Sequence, residues 1–146
     1  MRGRLFVAAV CTALFLGLVV QANEKPSAEY RKAMRDIEEA TNLLRHHGRM
    51  VEKEGECCWE WVEKDAVIIQ KLYEPILAYW TEKKSADAIQ FVKDTISDAQ
   101  SMEKAAKAHR WESMDAAEGS ILQVCQACHD NHRQKMPDGS FEIIVN

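Results

Sequence analysis

Residues 111–135 read WESMDAAEGSILQVCQACHDNHRQK. Trp111, Met114, Ala117, Ile121, Cys125 and Cys128 recur there at steps of three and four, the spacing of one face of an α-helix. Polar residues fill the positions between them, so one side of the helix is suited to burial and the other to water. The same period recurs three times toward the N-terminus. Residues 84–109 carry Ile89, Val92, Ile96, Ala99, Met102 and Ala106; residues 57–80 carry Val62, Ala66, Ile69, Tyr73, Ile76 and Trp80. Residues 27–52 carry Tyr30, Met34, Ile37, Thr41, Leu44, Gly48 and Val51. Ser27 suits the N-cap of this first helix, with Glu29 in the first turn, where the helix dipole favours an acid. Pro75 should kink or locally end the second helix, since it lacks an N–H and its ring crowds the preceding turn. No stretch shows sustained strand alternation.

Four amphipathic segments joined by short links bury their stripes most economically as an all-α, antiparallel four-helix bundle, with any cofactor between facing helices. The bundle domain is expected over 23–135. Beyond it Met136-Pro137-Asp138-Gly139 breaks the last helix, and Phe141-Glu142-Ile143-Ile144-Val145 reads as an extended tail, 136–146, packed across the bundle. The composition agrees: 146 residues with 47% hydrophobic side chains, 6 Gly and 3 Pro suit one helix-rich domain and exclude wholesale disorder. The 19 Lys and Arg against 23 Asp and Glu leave a net charge of −4, without the basic footprint of a nucleic-acid binder.

Residues 1–22 form an address segment. Arg2 and Arg4 precede an apolar run from Leu5 to Val20, and Val20-Gln21-Ala22 presents modest residues where a signal peptidase reads. The expected cut follows Ala22. The alternative, an uncleaved anchor, is disfavoured because a span needs about 20 apolar residues. Cys11 lies within the apolar run as filler. Cleavage removes two arginines and makes the exported protein more acidic, with no membrane attachment.

The chemistry lies in Cys125-Gln126-Ala127-Cys128-His129. On a helix these cysteines and the histidine stand at i, i+3 and i+4, so two sulfurs and an imidazole project from one face. That arrangement suits a c-type haem, held by two thioethers to its vinyl groups and by the histidine as an axial iron ligand. The expected export agrees, because in bacteria this attachment takes place outside the cytoplasm. Two other readings compete. A thioredoxin-like redox pair needs a strand before the motif, whereas this motif ends a helical segment. A zinc site needs a second ligand pair, and adjacent Cys57 and Cys58 would diverge by about 100° on a helix.

With these residues in place the chain resembles the class II c-type cytochromes, the cytochrome c prime family. Those are four-helix bundles whose last helix carries CxxCHxxYR or CxxCHxxFR near its end. Here the run is Cys125-Gln126-Ala127-Cys128-His129-Asp130-Asn131-His132-Arg133. Arg133 matches the family arginine and His132 stands at the aromatic position. Tyr30-Arg31-Lys32-Ala33-Met34 and Gly48-Arg49-Met50 look like pieces of the family's first helix, with a wider interval between them.

The resemblance implies one covalent haem c, with Cys125 and Cys128 as attachment points, His129 as proximal ligand, and Arg133 and His132 as neighbours of the pocket. His132 is expected either to bond a haem propionate or to face solvent. It also implies that the first helix supplies the residue facing the iron. An apolar residue there leaves the iron open to nitric oxide or carbon monoxide, whereas a methionine closes it as a His-Met electron-transfer centre. Met34 is the candidate sixth ligand; as core filler it would be equally ordinary. His46, His47 and His109 lie near helix ends and are weaker candidates. Met50, Met102 and Met114 fall on core stripes, and Met136 follows on the proximal side.

Cys57 and Cys58 suit a bridge between two molecules, a vicinal disulfide, or two small buried groups. Trp59, Trp61 and Trp80 are expected in the bundle or on a dimer face, and the resemblance points to a homodimer through the first two helices. No positioned nucleophile, phosphate-binding glycine loop or paired carboxylates appear, so no enzymatic chemistry beyond redox is expected. The reading is a periplasmic monohaem cytochrome transferring electrons between redox partner proteins, its acidic surface steering a basic partner. The alternative is an open haem that binds small gases for sequestration or sensing.

Overall fold

Ser27 opens the first helix as expected: its Oγ accepts a hydrogen bond from the Tyr30 N–H at 3.0 Å, satisfying one of the unpaired donors of the first turn. In the computed structural model, which describes residues 22–55 and 58–145, this helix α1 runs Ala28–Glu54. It is followed by α2 (Trp59–Lys83), α3 (Ala86–Lys107) and α4 (Trp111–His132). Each helix packs on its neighbour in sequence, the pattern of an up-down-up-down bundle. The leader expected over 1–22, with Cys11, and Cys57 fall outside the described residues, apart from Ala22. Among the described residues no helix is long and apolar enough to cross a membrane.

Most of the expected stripes face inward. Leu44, Val62, Ile69, Ile76, Trp80, Met102, Met114 and Ile121 are buried in one core. In α3 the expected Val92, Ala99, Met102 and Ala106 are buried, joined by Ala88 and Thr95, whereas Ile89 and Ile96 are only half-buried at the edge of the core. With Ala99, Ala105 and Ala106 buried, α3 presents small side chains and lies broadly against both α2 and α4. The α1–α4 seam is much looser. It is drawn together where Gly48 lies against α4, a Cβ there coming within 3.1 Å of Glu118 Oε2.

Two expectations about helix ends are corrected. Pro75 does not end α2, which continues to Lys83; the proline is exposed, so its ring meets water. And α4 stops at His132 rather than Lys135, because the chain turns there into a small sheet that the helical periodicity did not reveal. Strands β1 (Ala22–Glu24), β2 (Arg133–Lys135) and β3 (Phe141–Val145) form an antiparallel sheet in the order β1-β3-β2. Ile143 pairs with Glu24 on one side and Arg133 on the other. The segment expected as a tail is thus the central strand, and residues 133–135 belong with it rather than with the bundle helix. A cut after Ala22 would leave Asn23 and Glu24 of β1.

His132 explains the turn, and its expected solvent-facing position is also corrected. The side chain is 3% exposed. Its Nδ1 lies 2.9 Å from the Ile144 carbonyl oxygen and its Nε2 3.1 Å from Asp87 Oδ2. The ring packs on Trp80 and Phe91. It thereby ties the end of α4 to β3 and to the start of α3, and both nitrogens are engaged by protein acceptors, leaving none for a propionate.

Glu24 fastens the other edge of the sheet to α2. Lys83 Nζ donates to its carboxylate at 2.5 Å and the Tyr79 hydroxyl donates to its other oxygen. These bonds, Lys83 first, hold the carboxyl below its ordinary value of 4.5. The stabilisation is therefore complete above that ordinary value and disappears as pH falls through the lowered folded-state value. Being partly exposed, the group contributes about 0.5 kcal/mol or less. Thermal midpoints measured from pH 7 down to pH 3 should fall slightly less steeply for Glu24→Gln than for the natural chain; parallel curves would refute the coupling.

Candidate functional site

The last two turns of α4 carry the pentad. Cys125 and Cys128 are half-buried and face the core, whereas His129 is exposed on the adjoining flank. The Cys125 Sγ lies 3.1 Å from the Tyr73 hydroxyl of α2, and Tyr73 is itself only 7% exposed. Cys128 lies in the electrostatic reach of Tyr30 on α1 and Asp87 on α3. The two sulfurs therefore enter the end of the bundle where α1, α2 and α3 converge on α4.

Burial pushes the Cys128 thiol up to about 12, with Cys125 and Asp87 adding to the effect. Cys125 is also raised by burial, partly offset by the Tyr73 hydrogen bond. Both are thus protonated thiols at neutral pH, the opposite of the lowered value that activates a disulfide-exchanging cysteine. The element leading into the motif is α4 itself, from Trp111, rather than a strand, and the redox-pair alternative has no support in this geometry. Among the described residues no group of three or more His, Cys, Asp and Glu side chains is placed to hold a metal ion.

His129 differs from His132. Among the described residues no hydrogen bond engages its ring. Desolvation, followed by the charge of Arg133, holds it below its ordinary value against the opposing pull of Asp130 and Glu38. It is a neutral imidazole near pH 7 with a lone pair available to a metal. Glu38 also lines an open groove of about 430 Å³ along α1, with Arg35, Glu39, Asn42 and Leu43. Arg133 caps α4, and its guanidinium stacks 3.5 Å above the Phe141 ring centroid while remaining close enough to act on His129.

Met34 is half-buried against the core, one turn beyond Tyr30 on the same side of α1. The other candidates are elsewhere. His47 Nδ1 is 2.5 Å from the buried Asp65 carboxylate on α2. His46 is exposed beside it and His109 stacks on Trp59, all toward the opposite end of α4 from the pentad. Met102 and Met114 are fully buried and Met50 half-buried, whereas Trp61 is 45% exposed. Tyr73 was legible only as one core residue in a stripe; its hydroxyl was the one signal that a polar partner had to lie within the core.

The donor set suits a c-type haem. Two sulfurs stand one turn apart on a single face, a neutral and uncommitted imidazole follows immediately, and the bundle's loosest seam, α1–α4, runs beside them. The bundle is similar in shape to several solved structures. A protein described as cytochrome c' aligns at TM-score 0.51 with 21% identity, over 71% of this chain and 96% of the other. A ferrous single-site mutant of cytochrome c prime from Alcaligenes xylosoxidans aligns at TM-score 0.52 with 22% identity, over 77% of this chain and the whole of the other. A carbon monoxide-bound variant from the same organism gives the same figures. No protein-family model and no curated protein sequence matches the chain. The fold is the four-helix bundle of cytochrome c prime.

Proposed function

We propose that the chain is a monohaem c-type cytochrome acting in electron transfer. Cys125 and Cys128 would carry the two thioethers and His129 the proximal iron bond. The observation that supports this most is the convergence of two core-facing thiols and a neutral, unbonded imidazole on one helix face beside the α1–α4 seam. When bound, the haem supplies a one-electron iron couple whose potential is set by its axial ligands and surroundings. The protein's own work is to hold that group in a bundle of low polarity, keep His129 neutral through Arg133 and desolvation, and present Met34 from α1 toward the same end. The chain would act in the periplasm after cleavage of residues 1–22, on redox partner proteins steered by its acidic surface.

The second reading is an open iron that binds carbon monoxide or nitric oxide, which the carbon monoxide complex of a similarly folded protein favours. Met34 separates the two. Absorption spectra of the haem-loaded protein should be low-spin and indifferent to carbon monoxide, and Met34→Ala should convert them to a high-spin form that binds the gas. A natural protein that is already high-spin and shifts with carbon monoxide would overturn electron transfer through a His-Met centre in favour of gas binding.

A homodimer through α1 and α2 belongs to the same proposal. Trp61, Asp65 and Ile68 share one stripe of α2, and Leu43 and His47 one stripe of α1; the His47–Asp65 bond sets the stripes side by side. Leu43, Trp61 and Ile68 are each close to half exposed around that bond.

A further inference from the structure

Tyr73 has a buried hydroxyl whose neighbour is a sulfur destined for chemical change. A phenol left unpaired in a protein core bears its full desolvation penalty, so its partner matters. Here the partner is the Cys125 Sγ at 3.1 Å. Burial raises the Tyr73 pKa well above its ordinary value, so the hydroxyl keeps its proton and remains a donor. While Cys125 is a thiol, either group is able to donate. Once the sulfur has become a thioether it has no hydrogen, and the phenol is the only donor left in the pair.

We propose that Tyr73 is a positioning residue of the haem site, its O–H donating to the Cys125 thioether sulfur and fixing that edge of the haem against α2. This rests on the haem reading above. Forming the thioether breaks the Cys125 S–H bond, makes a bond from sulfur to one vinyl carbon and places the hydrogen on the other, with no net oxidation. The hydrogen bond from Tyr73 survives this addition with its direction settled. It also makes the two attachment points unequal. Tyr30, the corresponding tyrosine near Cys128, makes no hydrogen bond to that sulfur among the described residues, whereas Tyr73 reaches Cys125. Among the described residues only the Cys125 sulfur is held by a phenol, so the haem is anchored more rigidly on its α2 side than on its α1 side.

The test uses the haem-loaded full chain and its Tyr73→Phe and Tyr30→Phe variants. Mass spectrometry of haem peptides first establishes whether two thioethers are present. Resonance Raman spectra in H2O and, after complete exchange, in D2O then read the C–S stretching bands. In the natural protein one of the two C–S bands should shift on deuteration. That shift should be lost in Tyr73→Phe and retained in Tyr30→Phe, with both thioethers intact throughout. A merely structural tyrosine would leave the C–S bands insensitive to deuterium in all three proteins, and that result overturns the proposal while leaving the haem reading standing. A natural protein without covalent haem overturns both.

Discussion

Alanine at both Cys125 and Cys128 should leave the protein with no haem that resists extraction by acidified organic solvent, whereas the natural chain should retain essentially all of it. The two thiols lie one turn apart on α4 and face the core, and no other described cysteine lies near them: Cys58 precedes α2, at the far end of the bundle from the pentad. His129→Ala should show the complementary defect, with both thioethers kept and the proximal bond lost, read as an altered spectrum at unchanged haem stoichiometry. Retention of covalent haem in the double-alanine protein would refute the attachment site. Far-ultraviolet circular dichroism of the same samples separates loss of the group from loss of the bundle.

Trp80→Ala should cost about 3–5 kcal/mol in unfolding free energy, the range for emptying a large aromatic site in a core. The indole is 1% exposed and is gripped by two rings, Tyr79 edge-on at 5.0 Å and His132 at 4.8 Å. Its loss would therefore leave a cavity in the bundle and also loosen the histidine that holds α4 to β3 and α3. Urea denaturation followed by circular dichroism measures the change. A loss below about 1 kcal/mol would mean that the site collapses around the cavity far better than rigid cores do.

The bundle was readable because its signal repeats. Four stripes at helical spacing are redundant, and in α3 the burial of Ala88 and Thr95 more deeply than Ile89 and Ile96 leaves the architecture unchanged. Ser27 was readable for a different reason, as a local bond between residues three apart. The small sheet was not, because it joins residues from opposite ends of the described chain and three-residue strands carry no periodicity. His132 was misplaced on the same account: its burial depends on Ile144, Asp87 and Trp80, none adjacent to it in sequence. The pentad was legible because its spacing is itself the geometry. What surrounds it, Tyr73 on one sulfur and Glu38 beside the imidazole, depends on how α1 and α2 lie against α4.

The pairing of β1 with β3 has a topological consequence. A bundle of successive hairpins is an open string, and each terminal helix can fray from its free end with little penalty to the rest. By joining the strand before α1 to the strand beyond α4, the sheet converts that string into a ring. Unwinding then cannot begin at either end of the bundle without first parting the sheet. Since the pentad occupies the last turns of α4, where an unbraced helix would be least persistent, ring closure keeps the cysteines and histidine in helical register. Such pairing between distant segments carries a loop-closure cost that contacts within one helix do not.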